Sequence, residues 1–112
     1  MKNPETRLYK EIEIWCSKQD WLCFHINVIR GQWKNMKNGI VSWLDTGVPE
    51  GWSDLIILTN DGRTMFCEAK VGKNKPTKDQ LKFIEIMKKR GFVAFVAYSL
   101  EEFIEIVEKE IK

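Results

Sequence analysis

The 112-residue sequence lacks the features that mark several protein classes. Its three cysteines, Cys16, Cys23 and Cys67, form an odd count with no CxxC pair, which argues against a disulfide framework or a structural zinc site. No apolar run approaches the ~20 residues of a membrane span, and the start MKNPETRLYK lacks the apolar stretch of a secretory signal. We therefore expect a soluble protein of a reducing, cytoplasmic compartment, whether cell-, phage- or virus-encoded, with its cysteines in the core.

Strong charge bias and internal repeats are also absent. With 18 Lys and Arg against 16 Asp and Glu, the net charge is only +2, so any nucleic-acid signal must come from the distribution of charge. A hydrophobic content of 44% in 112 residues is enough for one core and too little chain for two. The sequence thus predicts a single domain over residues 1–112.

Hydrophobic periodicity and capping signals predict alternating helices and strands. Helices are expected at about 4–19, from a Thr77–Gln80 capping box to Gly91, and from Ser99 onward; strands are expected at 21–29, near 40–44, and at 54–59, 64–70 and 92–99. Residues 30–39 and 45–53 are predicted as loops. This order predicts an α/β fold with a mixed central sheet flanked by helices on both faces, in which strand 92–99 is parallel to a neighbour.

Charged residues interrupt two apolar strands. Asp54 begins the strand LIIL, and Glu68 and Lys70 share one face of the next strand. A three-residue loop at 60–62 places Asp54 opposite Glu68, whereas a two-residue loop places it opposite Ala69. The longer loop is favoured because Gly62 suits its left-handed position, and two close carboxylates suit Mg²⁺. In the alternative, Asp54 closes a turn and Glu68 and Lys70 form a surface ion pair.

These residues resemble the PD-(D/E)xK nuclease signature, and their surroundings are similar to the VRR-NUC domain. Asp54 is followed on the next strand by Glu68-Ala69-Lys70, within an ordered set of segments that covers nearly the whole chain: a first helix with Glu5, HINVIRG, GWSD, EAK, Gln80 and GFVAFVAYSLEE. Ser53 stands where a proline often precedes the aspartate. The resemblance implies a restriction-endonuclease-like fold and hydrolysis of phosphodiester bonds in DNA.

The resemblance also implies the roles of individual residues. Asp54 and Glu68 would ligate Mg²⁺ or Mn²⁺ together with the carbonyl of Ala69, and Lys70 would position the attacking water and stabilise charge on the phosphate. Gln80 would orient Lys70 or the phosphate, and Glu5 would act through water or behind the ligands. These five side chains form the expected catalytic set: Asp54, Glu68, Lys70, Gln80 and Glu5.

Two members of this set have equally simple structural explanations. Gln80 is explained by the capping box alone, and Glu5 by the preference for acidic residues at helix N-termini, with Glu11 and Glu13 as other candidates for the first-helix carboxylate. His25 lies alone in an apolar strand and is left out of the site.

Basic residues gather after the motif and predict a nucleic-acid-binding surface. The residues expected to contact phosphates are Arg30, Lys34, Lys73, Lys75 and Lys78. The resemblance further implies a homodimer acting on branched DNA, such as four-way (Holliday) junctions, in replication, recombination or repair. The alternative is a catalytically silent nucleic-acid-binding or assembly subunit of a larger complex.

Overall fold

A computed structural model describes residues 4–26, 30–34, 41–45 and 53–111, with 30–34 and 41–45 described at the level of the backbone. Within these ranges the helices are α1 (Pro4–Lys18), α2 (Lys78–Lys89) and α3 (Leu100–Glu110). The strands are β1 (Leu22–His25), β2 (Arg30–Lys34), β3 (Val41–Asp45), β4 (Leu55–Leu58), β5 (Thr64–Ala69) and β6 (Val93–Ala97). The α/β fold class predicted from the sequence is confirmed.

The main sheet is mixed and has the strand order β1-β4-β5-β6. Strand β4 pairs antiparallel with β1 and β5, while β6 pairs parallel with β5 after the α2 connection, as predicted. The prediction of a loop over residues 30–34 was wrong, because β2 pairs antiparallel with β3 in a separate two-stranded sheet. Gly31 and the polar residues Arg30, Gln32 and Lys34 concealed this strand, since pairing with a partner strand overrides weak local preference. Residues 27–29, the last three of the predicted strand 21–29, lie outside the described residues.

Helices cover both faces of the main sheet, which explains the continuous apolar run of β4. Leu55 and Ile57 are fully buried in one core cluster with side chains of α1 and α3. Ile56 points the other way and packs in a second cluster with Phe66 and with Ile84 of α2. Because Glu68 lies two residues after Phe66 on β5, it faces the side of the sheet that α2 covers.

The predicted helix boundaries are also confirmed. Thr77 and Gln80 form a complete capping box at the start of α2, and Ser99 caps α3 by accepting a hydrogen bond from the Glu102 backbone. Gly91, just past the end of α2, has φ +92°, a backbone conformation that favours glycine.

The cysteines were expected in the core, and no membrane-spanning segment was expected. Cys16 and Cys67 are buried core residues and Cys23 is half-buried, and all three are free thiols. None of the described helices is long and apolar enough to cross a membrane.

Candidate active site

The hairpin that joins β4 to β5 sets the register of the site. Leu55 pairs with Cys67 and Leu58 with Thr64, and the backbone N–H of Thr59 donates to Arg63 O at 2.9 Å. Residues 60–62 therefore form the three-residue loop that the sequence predicted, and Gly62 has φ +87° at the left-handed position. This register brings Asp54 opposite Glu68, as expected.

Side chains at the loop tip hold this register in place. The Thr59 hydroxyl donates a hydrogen bond to Asp61, and the Arg63 guanidinium contacts the same carboxylate, with Nη2 2.7 Å from Oδ2. The bonds from Arg63 and Thr59 lower the pKa of Asp61 to about 2, so its carboxylate stays charged throughout the neutral range. The loop that aligns the two acidic residues is thus closed by its own side chains.

Glu68 is an almost completely buried carboxylate, with 1% of its surface exposed. Its Oε1 atom accepts a hydrogen bond from Gln80 Nε2 at 2.8 Å and lies 3.5 Å from Lys70 Nζ. Its Oε2 atom is buried and has no hydrogen-bond partner among the described residues. Buried carboxylate oxygens are normally satisfied, so this oxygen is a candidate ligand atom for a cation.

The electrostatic environment of Glu68 opposes its negative charge. Burial, and after it the neighbouring Asp54 carboxylate, raises the pKa of Glu68 from 4.5 to about 8, and Lys70 only partly offsets this. Two carboxylates this close cannot both ionise without cost unless a cation lies between them. A bound divalent metal would therefore reduce the repulsion between the Asp54 and Glu68 carboxylates.

Gln80 performs both of the functions that sequence reasoning treated as alternatives. Its Oε1 atom accepts the Thr77 backbone N–H at 2.8 Å, completing the capping box, while its Nε2 atom donates to Glu68. Because the capping bond occupies the amide oxygen, the amide nitrogen is the end that faces Glu68. The capping box thus orients a side chain in the site.

Asp54 ends the β4–β5 ladder with its side chain. The backbone N–H of Ala69 donates to Oδ2 of Asp54 at 3.2 Å, while the Asp54 carbonyl accepts the Ile26 N–H at 2.7 Å. Ser53, 1% exposed, donates its hydroxyl to Leu55 O at 3.1 Å and braces the turn in which the resembled family often has proline. The aspartate is thus fixed on both sides by backbone contacts.

Sequence reasoning missed Tyr9, which reaches the site from α1. Its ring packs on His25 with centroids 4.3 Å apart, and its phenol lies near enough to Asp54 for the carboxylate to act on it. Burial and the Asp54 carboxylate raise the pKa of Tyr9, so the phenol is protonated at neutral pH. Glu5 lies one helical turn before Tyr9 and its charge adds to that effect. The i, i+4 spacing of Glu5 and Tyr9 was the available signal.

The described residues fit a magnesium site in which the protein supplies few of the metal ligands. Among them no three His, Cys, Asp or Glu side chains form a metal cluster, so the carboxylates available at this position are those of Asp54 and Glu68. Mg²⁺ characteristically takes one or two carboxylates and completes its octahedron with water and substrate phosphate. The unpartnered Oε2 of Glu68 is the observation that supports this fit.

The predicted basic residues lie in two segments of the chain. Lys73, Lys75 and Lys78 are exposed in the segment from β5 to the first turn of α2. Arg30 and Lys34 lie at the two ends of β2. Near the end of α2, Lys89 is exposed, and its Nζ lies 3.5 Å from Oε1 of Glu85. The charge of Lys89 is therefore partly neutralised by Glu85.

Comparison with solved structures finds similarity over nearly the whole chain. One structure, described as a VRR_NUC domain, has a TM-score of 0.69 and 20% sequence identity, covering 99% of this chain and 100% of its own. A second, described as a VRR_NUC domain protein, has a TM-score of 0.62 and 20% identity, covering 99% of this chain and 90% of its own. No protein-family model and no curated protein sequence matches. The chain therefore has the fold of the VRR-NUC domains.

Proposed function

We propose that the protein is a Mg²⁺- or Mn²⁺-dependent deoxyribonuclease, an endonuclease that hydrolyses phosphodiester bonds. The observation that carries the proposal is the buried Glu68 carboxylate, which neighbours Asp54. Its Oε1 contacts Lys70 and Gln80, and its Oε2 has no hydrogen-bond partner among the described residues. A buried carboxylate beside a second acidic group is costly to fold when, within the described part of the chain, Lys70 is the cation that contacts it. Such a cost is typical of functional sites, where carboxyl groups with perturbed pKa values bind a ligand or take part in catalysis.

The chemistry follows from the residues at this position. Asp54 and Glu68 would hold the metal with the carbonyl of Ala69, and the bound ion would supply Lewis acidity and lower the pKa of a water. Lys70, with 15% of its side chain exposed, offers an ammonium group to the scissile phosphate or to the attacking water. Gln80 keeps one Glu68 oxygen hydrogen-bonded, which leaves the other for the metal. Glu5 stays a proposed contributor behind the ligands.

DNA is the proposed substrate because exposed lysines border the acidic pair. Lys73, Lys75 and Lys78 would contact phosphates along the strand, and Arg30 and Lys34 would extend that surface. Branched DNA such as four-way junctions, a homodimer with paired sites, and a cytoplasmic role in replication, recombination or repair are the finer parts of the proposal, supported by the family resemblance.

A cleavage assay with matched variants tests the proposal. Purified protein is incubated with linear duplex, flap and four-way junction DNA in Mg²⁺, Mn²⁺ or EDTA. We expect metal-dependent cleavage that Asp54→Asn or Glu68→Gln abolishes, with DNA binding retained because each change removes a charge but little volume. Glu85→Gln, an exposed carboxylate on α2, is the control and should cleave normally. Metal-independent DNA binding without cleavage of any substrate would instead identify a catalytically silent binding subunit.

A further inference from the structure

The residue that caps α2 is joined to the acidic pair through one side chain. The Thr77 backbone N–H donates to Gln80 Oε1 at 2.8 Å, and Gln80 Nε2 donates to Glu68 Oε1 at 2.8 Å. We propose that Thr77 is a positioning residue of the metal site, whose backbone N–H holds the Gln80 amide so that Glu68 presents its other oxygen, Oε2, to a divalent metal. This inference rests on the proposed metal-dependent function and gives a role to a residue outside the predicted catalytic set.

The bond from Thr77 decides which end of the Gln80 amide faces Glu68. A backbone N–H can only donate, so it selects the amide oxygen and turns the NH₂ group toward the carboxylate. In the reversed orientation two donors would face each other at Thr77 and two acceptors at Glu68. The Thr77 hydroxyl also accepts the Gln80 backbone N–H at 3.1 Å, so the backbone and the side chain of Gln80 are both tied to the same residue.

The orientation of Gln80 in turn limits how Glu68 can bind a metal. Glu68 Oε1 is held by the Gln80 amide and lies 3.5 Å from Lys70 Nζ, whereas Oε2 is buried and has no hydrogen-bond partner within the described part of the chain. Rotation of the carboxylate would break the contacts of Oε1, and hydrogen bonds of this kind keep metal ligands oriented. Because Thr77 occupies the amide oxygen of Gln80, that oxygen is not available as a metal ligand, and Glu68 Oε2 is.

Two substitutions at Thr77 separate the effect of its N–H from that of its hydroxyl. Thr77→Ala removes the hydroxyl and keeps the N–H, whereas Thr77→Pro removes both, and proline suits this backbone because Thr77 has φ −72°. Mn²⁺ affinity is measured by calorimetry without DNA, and helix content by circular dichroism. We expect Thr77→Pro to bind Mn²⁺ roughly 2- to 10-fold more weakly than Thr77→Ala, since the two variants differ by one hydrogen bond. In a Gln80→Ala background the same two substitutions should bind Mn²⁺ equally, because the acceptor of that bond is gone.

The cap of α3 provides a matched control away from the site. The Ser99 hydroxyl accepts the Glu102 backbone N–H at 3.1 Å, the same bond that Thr77 makes with Gln80. Ser99→Ala should lower Tm, as the loss of a cap does, without changing Mn²⁺ affinity. Amide hydrogen exchange of the wild type adds a measurement that needs no substitution: because coupling between sites is reciprocal, bound Mg²⁺ should slow the exchange of the Thr77 N–H.

The outcomes separate this inference from the proposed function. Equal Mn²⁺ affinities of Thr77→Ala and Thr77→Pro, or an unchanged difference between them in the Gln80→Ala background, would overturn the role of Thr77 and leave the nuclease proposal intact. If Thr77→Pro does not fold, a Thr77 exchange rate that Mg²⁺ leaves unchanged would overturn that role. Absence of Mn²⁺ binding by the wild type would overturn both proposals. A difference that is present in the wild-type background and lost with Gln80→Ala supports the positioning role, because damage to the helix alone would not depend on the Gln80 side chain.

Discussion

Replacing Glu68 by Gln should stabilise the metal-free protein at alkaline pH while abolishing its activity. The carboxyl group is 1% exposed and its pKa is raised from 4.5 to about 8, chiefly by burial and then by Asp54. The folded protein therefore binds more protons than the unfolded chain between these two pH values. The sign follows directly: the free energy of unfolding falls as pH rises through this window.

The magnitude comes from the same window. One carboxyl group costs about 1.4 kcal/mol of unfolding free energy for each pH unit between its unfolded and folded pKa values. Between pH 5 and pH 8 the wild type should thus lose about 3–4 kcal/mol relative to Glu68→Gln, or roughly 12–16 °C in Tm for a domain of this size. Glutamine fits the site because its amide oxygen can still accept hydrogen bonds from Gln80 and Lys70.

Urea denaturation of both proteins in EDTA at pH 5, 6, 7 and 8 measures this difference. The stability gap should widen with pH, and adding Mg²⁺ at pH 8 should close it by stabilising the wild type alone. Glu85→Gln, whose carboxylate is exposed on α2, should track the wild type at every pH. A gap that stays constant from pH 5 to pH 8 would refute the argument that Glu68 is held partly protonated by burial and Asp54.

Four further predictions test other parts of the site. Lys70→Ala should lower kcat far more than DNA affinity, measured by single-turnover cleavage and by binding in Ca²⁺; near-normal turnover would exclude it from catalysis. Gly62→Val should destabilise the protein by about 1–2 kcal/mol in urea and Gly62→Asn by less, since Gly62 has φ +87°. Gln80→Glu keeps the cap but places a carboxylate beside Glu68, so helicity should persist while the free energy of unfolding in EDTA at pH 8 falls; an unchanged free energy of unfolding would leave Gln80 as a cap only. Lys75→Ala should reduce the salt slope of DNA binding by about 0.9, whereas Lys109→Ala on the acidic α3 should not.

The parts of the site that were predictable from sequence are those governed by local rules. The period of strands and the turn chemistry of Gly62 were enough to place Asp54 opposite Glu68, because register across a short hairpin depends on loop length alone. The capping box at Gln80 was equally predictable from the sequence. Its second hydrogen bond, to Glu68, was not, since that contact depends on how α2 packs over the sheet.

What sequence reasoning missed depends on distant parts of the chain. Tyr9 is 45 positions from Asp54 in the sequence and comes near it only because α1 packs against β1, the strand that pairs with β4. Strand β2 was read as a loop because its partner β3, rather than its own residues, determines its conformation. The roles of Glu5, Arg30 and Lys34 stay predictions.

Crystals of the protein soaked in Mn²⁺ test the central claim most directly, through the anomalous signal of the ion. We predict a peak bonded to Glu68 Oε2 and to the Asp54 carboxylate, which disappears in Asp54→Asn crystals grown and soaked identically. Strong Mn²⁺ peaks elsewhere with none between Asp54 and Glu68, at Mn²⁺ concentrations that support DNA cleavage, would contradict the account.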